Sequence, residues 1–271
     1  MIKLVATDLD GTLLNENREL SEVNKKTIKK MIDSNIILCF ATGRPLNGIK
    51  HFLEECNLTN TESYSITNTG ACIYRNQNFK LLKGDYLNEC DYQLIEDYTK
   101  GTGVQVVGYS DFDLLYSFSK VINPALIHDS KILSMPIKET KIQDIVNPIC
   151  RINIMGNKEN IDYAISLLPK KIFEKYYTVR NETFSFELLN KSSGKGNAIK
   201  FLMDYLRLKS EEVLVLGDNF NDIDMLIEAG QSVAMGQAHE DIKKICTYVT
   251  DTNEKNGFTK AIEKLIYENN I

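Results

Sequence analysis

Residues 5–17 read VATDLDGTLLNEN, and Ile2 and Leu4 ahead of them extend the apolar run. The run reads as a buried strand from Ile2 to Thr7. It ends in two carboxylates one residue apart, Asp8 and Asp10, followed by Gly11. Carboxylates in that position repel each other and resist leaving water, so the sequence around them has to supply a reason for the pair.

The surrounding pattern is that of a parallel sheet. Ser21 is placed to cap a helix with Val23, Thr27, Ile28, Met31 and Ile32 on one face. IILCF at 36–40 is a second apolar strand and runs into ATGRP, where Pro45 suits a first helical turn. YSIT at 64–67 is a third. Strand and helix alternate again near the C-terminus: KGNAIKFLMDYLRL (195–208) is helical, EEVLVLGD (211–218) a strand, NDIDMLIEAG (221–230) a short helix, and SVAMG (232–236) a strand. Phe258, Ile262, Leu265 and Ile266 line a last helix. Such a rhythm predicts an α/β fold with a Rossmann-like parallel sheet.

Between about Gly84 and Asn190 the rhythm changes. The segments LIEDYTK, VQVVGYS, FDLLYSFS, CRINIMG, YYTVR and TFSFELLN suggest short helices and several strands. Alternation from Thr183 to Leu188 fits an antiparallel sheet with one wet face. We read 84–190 as an α+β cap domain inserted into a discontinuous core formed by 1–83 and 191–271.

Composition narrows the function. A chain of 271 residues with 43% hydrophobic content can bury one large α/β domain or two smaller ones. MIKLVATDLD reaches Asp8 too soon for a secretory h-region, and no run of about 18 apolar residues reads as a membrane span. The net charge of −5 comes without a basic block, which argues against a nucleic-acid scaffold. Six cysteines without a CxxC pair and three scattered histidines argue against zinc or a disulfide framework. Cys39 and Cys72 read as small core residues. A cytoplasmic protein, monomeric or a small homo-oligomer, is the expectation.

In a parallel α/β sheet, ligands bind beyond the carboxyl ends of the strands. Four segments put polar residues there: Asp8, Asp10 and Gly11; Thr42, Gly43 and Arg44; Asn68, Thr69 and Gly70; Gly217, Asp218, Asn219, Asn221 and Asp222. Lys195 joins from a helix start. Four aspartates in one place need positive charge, and an oxygen-only donor set without His or Cys favours Mg²⁺ over zinc. Thr42 and the amides after it suit an anion at a helix start, with Arg44 and Lys195 adding charge. Metal, anion pocket and a nucleophilic carboxylate together suggest phosphoryl transfer.

DLDGTLL, ATGR, KGNAIKFL and GDNFNDIDML, in that order, resemble the haloacid dehalogenase superfamily of phosphatases. The large insert, and VAMGQAHEDIKKICTYVTDTNEKNGFTKAIEKL at the end, resemble its Cof-type subfamily. The resemblance implies that Asp8 is the nucleophile and forms an aspartyl-phosphate. It makes Asp10 the acid/base, with a backbone carbonyl on Mg²⁺, and Thr42 and Lys195 the holders of the phosphoryl group. It makes Asp218 a metal ligand, Asn221 a phosphoryl contact and Asp222 a support of the metal site. Two positions depart from the family pattern: Thr69 stands where Asn is frequent, and Gln237 where Asn follows the MG turn.

The implied activity is hydrolysis of small phosphorylated metabolites such as sugar phosphates. A phosphomutase with the same nucleophile, or a non-catalytic sugar-phosphate sensor, is the alternative. Outside the motifs, Asp224 is expected on the exposed face of its helix. His128 and Arg151 are expected to be structural or exposed, and Glu187 is left open between cleft and interior.

Overall fold

The computed structural model describes residues 1–268 other than 112, 113, 119, 121, 134 and 146. It contains two sheets. The first half of the core runs β1 (Leu4–Thr7), α1 (Glu22–Asp33), β2 (Ile37–Ala41), α2 (Lys50–Glu55), β3 (Ser63–Thr67), β4 (Cys72–Arg75) and β5 (Lys80–Gly84). The middle of the chain holds α3 (Glu89–Thr99), β6 (Gln105–Ser110), β7 (Leu115–Ser117), α4 (Pro124–Leu133), β8 (Ile137–Glu139), β9 (Ile149–Met155), α5 (Lys158–Leu167), α6 (Lys170–Lys175), β10 (Tyr176–Glu182) and β11 (Ser185–Asn190). The chain then returns with α7 (Lys195–Leu206), β12 (Val213–Gly217), α8 (Ile223–Glu228), β13 (Gln231–Ala234), α9 (Glu240–Ile245), β14 (Tyr248–Val249) and α10 (Gly257–Ile262).

The larger sheet has the order β14-β13-β12-β1-β2-β3-β4-β5. Pairing is parallel from β14 to β3 and antiparallel at β4 and β5. β1 is central and fully buried, because helices cover both faces of a parallel sheet. Its register pairs Thr7 with Leu216 on one side and Phe40 on the other. Asp8, Gly217 and Ala41 therefore end at one edge, and Thr42 follows there, its amide donating to the Ile66 carbonyl at 2.8 Å.

The smaller sheet has the order β10-β11-β9-β6-β7-β8 and is antiparallel except for β7 against β8. It is the α+β cap inserted between the two halves of the core chain, with α3 and α5 packed through Ile95, Ile161 and Ala164 onto Ile152, Ile154 and Leu188. The opposite face carries Tyr109, Arg151, Asn153 and Glu187, all buried. The alternation from Thr183 to Leu188 thus gives an antiparallel strand as read, but not a wet face: Ser185 and Glu187 are covered by the rest of the molecule. The two sheets meet closely enough that Cys72 of β4 and Cys150 of β9 bring their Sγ atoms to 3.5 Å. Of the predicted FDLLYSFS strand, β7 covers Leu115–Ser117, and Phe112, Asp113 and Ser119 lie outside the described residues.

Ser21 caps α1 by accepting from the Asn24 amide at 3.1 Å, as its position suggests. The buried face of that helix is rotated from the one read. Asn24 is buried and Val23 is 44% exposed, because the Asn24 amide donates to the Leu13 carbonyl at 2.8 Å and accepts from Thr259. A specific polar contact outweighs the transfer of one valine.

Candidate active site

The loop after β1 turns at Gly11, whose φ of +77° suits a residue without a side chain. A Cβ there would collide with the Asp218 carboxylate, so the glycine lets the loops after β1 and β12 lie against each other. Thr12 donates to Asp218 Oδ1 at 2.8 Å. α7 begins with Lys195, fully buried, whose Nζ lies 2.8 Å from Asp8 Oδ1 and 2.6 Å from Asp222 Oδ1. Asp222 accepts the Asp218 and Asn219 amides on its other oxygen at 3.0 and 3.1 Å.

Asp8, Asp218 and Asp222 offer carboxylate oxygens within 4.8 Å of one another. Burial pushes the Asp8 carboxyl well above the usual range, and Asp222 and Asp218 add to the push while Lys195 opposes it. Burial, then the Asp222 charge, pushes Asp218 up to about 7. Burial alone would lower the Lys195 ammonium, but Asp222 and Asp8 outweigh it and hold it above its ordinary value. The donor chemistry fits a hard divalent cation. Asp222 gives Oδ1 to Lys195 and Oδ2 to two loop amides, so Asp8 and Asp218, with one hydrogen bond each, are the more open carboxylates for an ion.

Asp10 is placed differently. Arg44 takes it in a fork, Nε to Oδ2 at 2.8 Å and Nη2 to Oδ1 at 2.6 Å, and Arg18 stands 4.0 Å away. The sequence puts Asp10 beside Asp8 and Arg44 beside an anion; here they hold each other. Thr42 is buried, and its hydroxyl accepts from the Arg44 amide at 3.1 Å. Asn221 is buried with Oδ1 lacking a partner. The loop after β3 runs through three left-handed residues, Asn68, Thr69 and Gly70. A Cβ on Gly70 would strike the Gly194 backbone, so this loop supports the residue before Lys195.

Both departures from the family pattern make specific bonds. Thr69 Oγ1 donates to Glu187 Oε2 in the cap at 3.1 Å. Gln237 Nε2 donates to the Gly11 carbonyl, tying the loop that carries Asp10.

Outside the motifs, the structure overturns the expectation for Asp224 and places His128, Arg151 and Glu187. Asp224 does not stand on an open helix face. It packs against Gly194 and Gly196 and accepts from Tyr177 of β10 at 3.2 Å. The closely spaced glycines around Lys195 were the signal for that approach. His128 lines a cleft of about 530 Å³ together with Asp10, Arg18, Arg44, Asp129 and Glu182. No sequence feature marks it. Glu187 and Arg151 are buried together as an ion pair, with Arg151 Nη1 at 3.2 Å from Glu187 Oε2.

Residues 5–262 match a family model described as haloacid dehalogenase-like hydrolase. The chain is 29% identical over 268 residues to YxeH of Bacillus subtilis (strain 168), covering 98% of this chain and 99% of that protein. It is 27% identical over 290 residues to the 5-amino-6-(5-phospho-D-ribitylamino)uracil phosphatase YwtE of the same organism, covering 98% of each. A solved haloacid dehalogenase-like hydrolase from Bacteroides thetaiotaomicron superposes with a TM-score of 0.88 at 26% identity, over 98% of this chain and 100% of that one.

Proposed function

We propose that the chain, which belongs to the haloacid dehalogenase-like hydrolases, is a Mg²⁺-dependent phosphatase of small phosphorylated metabolites working through an aspartyl-phosphate on Asp8. The observation that carries this reading is Lys195, buried between Asp8 and Asp222 and beside Asp218. A buried ammonium bonded to two carboxylates fixes Asp8 by one oxygen and leaves the other free to attack phosphorus. Asp8, Asp218 and the Asp10 carbonyl would hold Mg²⁺, with Asp222 in support, and the ion would supply charge to offset the phosphoryl oxygens.

Thr42, Gly43, Lys195 and Asn221 hold the phosphoryl group in this reading, and Asn221 brings an amide oxygen with no partner in the protein. Asp10 serves as acid and then base once it leaves Arg44. A phosphoryl group competes for the same guanidinium fork, which gives Asp10 a reason to move when substrate arrives. The core formed by 1–83 and 191–271 does the chemistry, and the cap at 84–190 selects the substrate. Among the described residues no helix is long and apolar enough to cross a membrane.

The test is phosphate release from an aryl phosphate. Release should require Mg²⁺, stop with a chelator and resume when Mg²⁺ is restored. Full activity in chelator removes the metal from the reading, and transfer to a sugar hydroxyl rather than water favours a mutase.

A further inference from the structure

The face of the cap sheet that looks toward the core is polar and buried. Tyr109 pairs with Arg151 across β6 and β9, and Glu187 with Asn153 across β11 and β9. Residues directly opposite share a face, so these four stand together. They reach the phosphoryl-binding loop: a Cβ on Gly43 would lie 3.8 Å from Arg151 Nη1 and 3.4 Å from Thr69 Oγ1, and Thr69 bonds Glu187.

The Arg151–Glu187 pair is not built as a structural ion pair usually is. A buried guanidinium normally meets a carboxylate with two nitrogens. Here Nη1 alone faces both Glu187 oxygens, at 3.3 and 3.2 Å, while the guanidinium carbon lies 4.2 Å from the Tyr109 ring centroid. Nε is buried with no partner. Two residues along the same face, Asn153 uses its amide nitrogen on Ser185 at 2.9 Å and leaves Oδ1 buried and unpartnered. Across the junction, Asn68 is fully buried with neither amide atom bonded. A buried polar atom left without a bond is costly. Arg151 and Asn68 adjoin the same loop, Arg151 beside Gly43 and Asn68 through its amide on the Arg44 carbonyl at 3.0 Å, and Asn153 follows Arg151 on the same cap face.

Resting on the phosphatase reading, we infer that Arg151, held by Glu187 and seconded by Asn153, is the cap's specificity-determining residue and recognises neutral hydroxyl groups on the leaving group. A hydroxyl both accepts from Nε and donates to an amide oxygen, which matches what is open. A second anionic group only accepts. It would leave Asn153 unsatisfied and add negative charge beside Glu187 in a buried place.

The experiment compares kcat and KM for a hexitol 6-phosphate, n-hexyl phosphate, a hexitol 1,6-bisphosphate and an aryl phosphate. The wild type should favour the hexitol monophosphate over hexyl phosphate by about 10²-fold or more in kcat/KM, since a site built for hydroxyls discriminates strongly against their absence. It should handle the bisphosphate less well than the monophosphate. Arg151→Lys keeps the charge beside Glu187 but loses the fork. It should cut the hexitol preference at least about tenfold through KM, with aryl phosphate turnover within about threefold. Arg151→Met/Glu187→Met removes the pair without stranding a charge and should do the same. Equal losses on all substrates, a hexitol preference that survives both variants, or a bisphosphate preferred to the monophosphate overturns the inference. A wild type inactive on every phosphate overturns the phosphatase reading and takes this inference with it.

Discussion

The two sheets both carry buried polar side chains, and they place them by opposite means. In the core sheet the polar groups sit past the ends of parallel strands, where register lines up Asp8, Thr42 and Asp218 although they are far apart in sequence. In the cap sheet they lie along one face of antiparallel strands, where alternation brings Tyr109, Arg151, Asn153 and Glu187 together. Strand-end chemistry needs several residues in a fixed local order, because loop, turn and helix start must all be shaped around one ligand. Face chemistry needs only every second residue, and neighbouring positions are free to vary. The first leaves motifs in a sequence and the second does not.

The sharpest way to break this comparison is at Asp8. Asp8→Asn should lower kcat by about 10⁴-fold or more on every substrate, because no carboxylate is left to attack phosphorus. Rapid quench with a labelled phosphate ester should trap no phosphoenzyme. Turnover within tenfold of wild type would move the nucleophile elsewhere.

Asp10→Ala should cost about 10²- to 10⁴-fold, and the loss should depend on the leaving group. An acidic phenol departs without a proton, so an aryl phosphate should give a burst of phenol followed by slow hydrolysis. An alkyl phosphate should give no burst. The same burst-free loss on both would show that Arg44 holds Asp10 for a structural purpose.

Glycines sharpen the contrast between the regions. Gly70 of the core has a φ of +89° and no room for a Cβ beside Gly194. Gly70→Ala should destabilise the protein by roughly 2 kcal/mol or more and disturb the start of α7. Gly101 of the cap has a φ of +80° with open space around it, so Gly101→Ala should cost only about 1 kcal/mol, the backbone strain alone. Chemical denaturation of the two variants checks the ranking, and equal losses would mean that close approach adds nothing at Gly70.

The pH response is the smallest effect. The folded-state pKa of Asp218 is raised to about 7, chiefly by burial. A carboxyl raised in the folded state contributes stability that is fully present below its unfolded value and is lost as pH rises through about 7. The metal-free protein should therefore melt at a lower temperature at pH 8 than at pH 6, and Mg²⁺ should flatten the difference. A slope of the same size with saturating Mg²⁺ would detach Asp218 from the metal.

Most of the core was legible because two periodicities and four short motifs agree on one sheet edge. Where the structure departs from the sequence pattern, contacts between residues distant in the chain decide. Val23 and Asn24 exchange places because of Leu13 and Thr259. Asp224 leaves the open face because Tyr177, from the cap, reaches it. Glu187 could be read as one member of an alternating strand, but whether its face met water or the core was not written in that strand.

The sequence by itself determined the parallel sheet, the strand ends where polar residues gather, and the residue types that suit a hard cation and a phosphoryl group. Those follow from local periodicity and from the charge and donor chemistry of neighbouring residues. Only the tertiary structure decided that Arg44 grips Asp10, that Asp222 spends both oxygens on Lys195 and the loop amides, and that Arg151 comes to rest beside Gly43. Each of these joins side chains distant in sequence or divides one side chain's few bonding positions among rivals. Spacing along the chain cannot settle such a competition; the distances between packed loops do.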